Sequence, residues 1–92
     1  MTGPSAAALH AEGLELWRRG AFDRALEKIG EAIDLAPETA LFRTSFGVAL
    51  AALGEDAAAE TAWRMALVLD PAEPLAKVNL DRKSTRLNSS HV

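Results

Sequence analysis

Apolar residues recur along the chain at helical spacing, in successive runs that each stop at a glycine or a proline. The pattern predicts helices over about 5–19, 22–36, 38–53 and 55–70, with a fifth beginning near Pro74. Pro74 suits a first helical turn, where its missing N–H removes no bond, and Leu75, Val78 and Leu80 continue an apolar stripe after it. The Ala- and Leu-rich composition, with few β-branched residues, favours helices over strands, and the expected fold class is all-α.

The chain repeats itself at an offset of 34 residues. Pro37 and Pro71 are one such pair, and Gly20 and Gly54 are another. Ala6 with Ala40, Gly13 with Gly47, Leu16 with Leu50, Ala25 with Ala59, Ala32 with Ala66 and Leu35 with Leu69 bring the identities in one window to eight. Small residues at Gly13, Ala25 and Ala32, and again at Gly47, Ala59 and Ala66, let two antiparallel helices approach closely. Between them Leu16, Ile29 and Leu35, then Leu50, Trp63 and Leu69, are expected to fill the gaps. Gly20 and Gly54 stand where a helix end needs left-handed backbone, while Pro37 and Pro71 stop the second helix of each pair. Each repeat therefore reads as helix, tight turn, helix, stop.

This arrangement resembles the tetratricopeptide repeat, through Gly13, Ala25, Ala32 and Pro37 and their partners Gly47, Ala59, Ala66 and Pro71. The stretch GAFDRALEKIGEAIDLAP, from Gly20 to Pro37, is similar to the family's second helix, and DPAEP, from Asp70 to Pro74, to its inter-repeat turn. The resemblance covers Ala6 to Leu80. It departs from the family at Leu9 and Arg43, where an aromatic is usual, and at Asp56, which stands where the first repeat has Phe22. These departures suggest looser packing. The implied organisation is an unstructured 1–5, repeats at 6–39 and 40–73, and the start of a third at 74–80.

The resemblance implies antiparallel helix-turn-helix repeats stacked in a right-handed α-α superhelix, whose first helices line a concave groove that holds an extended or helical peptide. Carried over position by position, the groove comprises Ala7, His10, Ala11, Leu14, Trp17 and Arg18 in the first repeat. Leu41, Thr44, Ser45, Val48 and Ala52 follow in the second, and Val78 and Asn79 in the third. Some members grip a partner's C-terminal carboxylate with lysine and asparagine, where this chain has His10, Leu14 and Ser45; that clamp is absent. Arrays of this kind usually need about three repeats to fold alone, so a marginal, self-associating piece is expected, with Leu75, Val78 and Leu80 partly covering the open end.

The segment from Asp81 to Val92 loses the Ala/Leu periodicity and gathers Arg82, Lys83, Arg86 and three serines. From Asp81 to His91 it reads, residue for residue, as the conceptual translation of a widely used sequencing adapter, and it is expected to be non-native. Charge follows from this. The whole chain carries −3, but three of its ten basic and one of its thirteen acidic residues lie in that tail, leaving seven against twelve, or −5. A body that acidic has no electrostatic footprint for phosphate backbones, so no nucleic-acid partner is expected.

No chemistry of catalysis is written in the sequence. There is no cysteine, so neither a disulfide framework nor a thiolate metal site is available. His10 stands alone among alanines, with no second ligand at metal spacing, and is expected to be solvated in the groove. Asp23 with Glu27, and Glu27 with Glu31, lie one helical turn apart and are expected on a solvated convex face rather than as an acid–base pair. Trp17 reads as a partner anchor or as packing beneath the neighbouring turn, and Trp63 as core. No cofactor is expected. The uncharged run from Thr44 to Gly54 is too short to cross a bilayer, the N-terminus does not read as a secretory signal, and the cytoplasm is the default compartment. The Ala- and Arg-rich composition is compatible with a GC-rich bacterial source. The expected function is a protein-protein interaction module; the other readings are self-assembly through exposed repeat ends, or recruitment of substrate for an enzyme lying outside this sequence.

Overall fold

The computed structural model describes residues 3–90, with side chains through Arg82. It is all-α and has the helix-turn-helix architecture of a repeat protein: α1 (Ala6–Arg18), α2 (Phe22–Leu35), α3 (Ala40–Ala52), α4 (Asp56–Leu69) and α5 (Pro74–Ser90). Helix ends lie within two residues of the predicted ones for α1 to α4. The fifth helix runs on past Leu80, into the segment expected to be non-native; its side chains from Lys83, and His91 and Val92 entirely, lie outside the described residues.

Local chemistry sets the same punctuation twice. Gly20 and Gly54 have φ of 84° and 83°, in the left-handed region that a side chain resists. In the first turn the Ala21 N–H reaches back to the Leu16 carbonyl at 2.9 Å and the Gly20 N–H to Trp17 at 3.0 Å. In the second, Glu55 reaches Leu50 at 2.9 Å and Gly54 reaches Ala51 at 3.0 Å. Both are Schellman closures that satisfy the last carbonyls of a helix. Between repeats, Thr39 N–H donates to Ala36 O at 3.2 Å and Glu73 N–H to Asp70 O at 2.9 Å, with Pro37 and Pro71 presetting φ at the second position of each turn.

Packing within each pair depends on one missing side chain. A Cβ on Gly13 would lie 2.6 Å from Ile29 Cγ1, and one on Gly47 2.7 Å from Trp63 Cδ1, so each glycine is the socket for a bulky residue of the next helix. Ala25, Ile29 and Ala32 form the buried stripe of α2; Ala59, Ala62, Trp63 and Ala66 form that of α4. Leu35 and Leu69 do not fill gaps as expected: they are 60% and 41% exposed, because each is the last residue of its helix and the chain turns away before anything covers it.

Helix contacts differ on the two sides of the array. α1, α3 and α5, the first helices of their units, meet in sequence: α1 touches α3 and α3 touches α5. The second helices, α2 and α4, do not meet among the described residues, although both pack on α3. The first helices are therefore joined along one side of the array, while the second helices stand apart on the other.

Candidate binding groove

The inner face of α1, α3 and α5 carries the residues that the sequence assigned to a groove, and these divide into two groups. Leu14, Trp17, Leu41 and Val78 are 37%, 36%, 41% and 47% exposed, Val48 and Asn79 are half-buried, and Leu75 is open beside Val78. Arg18 is open to solvent and held by Glu15, whose other oxygen takes Arg19, at 2.9 and 3.2 Å. These side chains are accessible to a partner. The Trp17 and Phe22 rings lie 6.5 Å apart across the turn, so the indole is steadied on one side and open on the other. The corresponding pair in the second repeat is Ala51 and Asp56, and no aromatic contact exists there.

His10, Thr44 and Ser45 are instead buried, at 8%, 1% and 7% exposure. The solvated reading of His10 is thereby corrected: its Nε2 lies 2.7 Å from Ser45 Oγ, and its ring packs 4.7 Å from that of Phe42. Burial pushes the imidazole below its ordinary pKa. Thr44 Oγ1 donates to Glu73 Oε2 at 2.7 Å, the same carboxylate oxygen accepts Ala76 N–H at 2.7 Å, and Trp63 Nε1 donates to the Thr44 carbonyl at 3.1 Å. These polar residues tie the units together rather than line a ligand site. Glu73 caps α5 in this network, at the register where Ser5 caps α1 by accepting Ala8 N–H at 3.1 Å.

On the opposite side, the splay of α2 from α4 leaves a cavity of about 530 Å3 floored by α3. Ile33, Phe46, Leu50 and Met65 give it an apolar wall, with Asp34 and Arg43 among its polar groups. It was not expected from the sequence, yet a signal is present. Gly30, Ala58 and Ala62, which line it, correspond at the repeat offset to Arg64, Arg24 and Lys28. The facing surfaces of α2 and α4 are small where their counterparts are large cations. Neither family models nor curated proteins match this chain.

The paired carboxylates Asp23, Glu27 and Glu31 are exposed on α2. Among the described residues no three or more His, Asp or Glu side chains converge as metal ligands would, and no helix is long and apolar enough to cross a membrane. Leu80 packs half-buried against the second core, but Leu75 and Val78 turn outward, so the expected cover at that end is supplied by Leu80, Ala76 and Glu73.

Proposed function

We propose that this chain is a tetratricopeptide-type interaction module that docks a peptide or protein segment on the α1–α3–α5 face. The observation that supports this reading is the exposure of Leu14, Trp17, Leu41 and Val78, all drawn from first helices, which are joined to one another through the contacts of α3. Exposed apolar residues grouped on one side mark interaction sites when scattered ones do not. With the buried polar residues subtracted, the floor is apolar and its charge comes from Arg18. It fits a segment that offers two or three apolar side chains, and Trp17 is its best anchor.

Peptides selected from a random displayed library against the full 92-residue chain test this. Binders should lose at least about tenfold affinity, roughly 1.4 kcal/mol, on Trp17→Ala or Leu14→Ser and be unaffected by Met65→Ser on the opposite face. Equal sensitivity to Met65→Ser would move the site to the outer cavity.

Self-association is a second reading, supported by Val68 at 81% exposure with Leu69 and Leu75 at 41% and 53%. Sedimentation across a hundredfold concentration range distinguishes it, since a peptide-docking monomer keeps one mass.

A further inference from the structure

The cavity between α2 and α4 has unlike rims. Ile33, Phe46, Leu50 and Met65 make its interior apolar, and its volume of about 530 Å3 falls in the range of ligand sites, roughly 300–1,000 Å3. On the α4 side the rim is uncharged. Ala58 and Thr61 are exposed there, with the Thr61 hydroxyl turned back to the Ala57 carbonyl at 3.1 Å. Met65 is 45% exposed, and Val68, one turn further on, 81%. Arg64, the cation of that stretch, is held by Glu60 at 3.0 Å.

On the α2 side the rim is acidic. Gly30 and Ile33 face the cavity, and Asp34 lines it from the edge. Asp23, Glu27 and Glu31 precede Asp34 by eleven, seven and three residues, so the four carboxylates form one strip along α2 beside the opening. All four are exposed, and none takes part in an ion pair among the described residues. Arg24 and Lys28, the cations of α2, lie beyond the strip, on the side away from Gly30 and Ile33. Arg43 is the cation of the lining, and its guanidinium is turned to the Pro37 carbonyl, at 3.1 and 3.3 Å. Like charges one turn apart destabilise a helix, so Asp23, Glu27 and Glu31 are groups that a cation from outside relieves.

We propose that this cavity docks a basic amphipathic helix of another protein, its apolar side chains against Phe46 and Met65 and its Lys or Arg residues along the carboxylates of α2. An apolar groove takes the apolar face of such a helix, and the cations flanking that face meet the acidic rim. Charge complementarity selects this occupant: an acidic segment is repelled by the strip, and by the −3 of the whole chain, while an uncharged one leaves the strip unpaired. The site is separate from the inner face and does not depend on whether that face takes a peptide. Its ligands form a second class, which the same two variants sort in reverse: sensitive to Met65→Ser and indifferent to Trp17→Ala.

The test uses the full chain and a fluorescein-labelled synthetic helix of leucine and lysine, with leucines at i, i+3, i+4 and i+7 and lysines beside them. A second probe has glutamate for each lysine. Fluorescence anisotropy should show saturable, one-to-one binding of the lysine probe that weakens with salt, and at least about tenfold weaker binding of the glutamate probe. Ala58→Leu, at an exposed position of the lining, fills the cavity from outside the core and should weaken the lysine probe at least about tenfold. Glu27→Lys combined with Glu31→Lys should do the same from the rim, and Trp17→Ala should leave binding unchanged. Circular dichroism melts show that each variant is folded. Equal binding of the two probes, binding that survives Ala58→Leu, or loss of binding in Trp17→Ala would each overturn the proposal. So would a chain that doubles its mass without probe and returns to a monomer in Ala58→Leu, since a second copy would then hold the cavity.

Discussion

The two helical pairs answer one packing demand with different side chains. In the first, Gly13 receives Ile29, a flexible aliphatic residue; in the second, Gly47 receives Trp63, a rigid ring that also donates from Nε1 to the Thr44 carbonyl. The first pair places an aromatic contact outside its core, between Trp17 and Phe22, and the second places its indole within. Equal sequence period therefore does not mean equal energy. The second unit concentrates its stability on one residue, whereas the first distributes it over Ile29, Leu9 and the neighbouring Phe42.

The sharpest way to break the comparison is truncation. Trp63→Ala should cost about 3–5 kcal/mol, the range for large aromatic residues in cores, and should leave the Thr44 carbonyl without its indole donor. Ile29→Ala should cost about 2–4 kcal/mol. Urea melts monitored by far-ultraviolet circular dichroism measure both, and equal losses would remove the asymmetry. Filling the sockets comes next. Gly47→Ala should be the worse of the two, at about 1–3 kcal/mol, because the indole cannot rotate away as Ile29 can; Gly13→Ala should fall below it. Thermal melts of the two variants check the order, and a reversal would mean that the backbone carbonyl of Ala25, 3.2 Å from a Cβ on Gly13, governs the site. The smallest effect should be at the turns. Gly20→Ala and Gly54→Ala meet no atom within 4 Å, so each pays only the left-handed strain of about 1 kcal/mol. Here the two units should agree, and a difference above about 0.5 kcal/mol would show that the turns are not independent of the cores.

What the sequence displayed were features that act within a few residues or within one helical pair. Gly20, Gly54, Pro37 and Pro71 read correctly because turn geometry constrains the backbone directly. Gly13 and Gly47 read correctly because close approach excludes a side chain whatever lies further off. His10, Thr44 and Ser45 were misplaced because a period of 34 residues describes a position within its own unit, whereas their burial is set by a neighbouring unit: the following one for His10 and Thr44, the preceding one for Ser45. A polar residue on a first helix has the same pattern in the sequence whether it faces a groove or a seam. Leu35 and Leu69 misled in the opposite sense, since leucine at helical spacing suggests a core even when the chain leaves before covering it.

The contacts of α3 have a topological consequence. Among the described residues, every chain of contacts from α1 and α2 to α4 and α5 passes through this one helix, which also holds Thr44, Ser45, Phe42 and Gly47. The terminal helices can fray without severing the molecule, but α3 cannot detach without leaving two disconnected hairpins. Amide protons of α3 should therefore exchange with solvent only when the whole chain opens, while those of α1 and α5 can exchange through partial openings of lower free energy. In the language of networks, α3 is the articulation point of the fold.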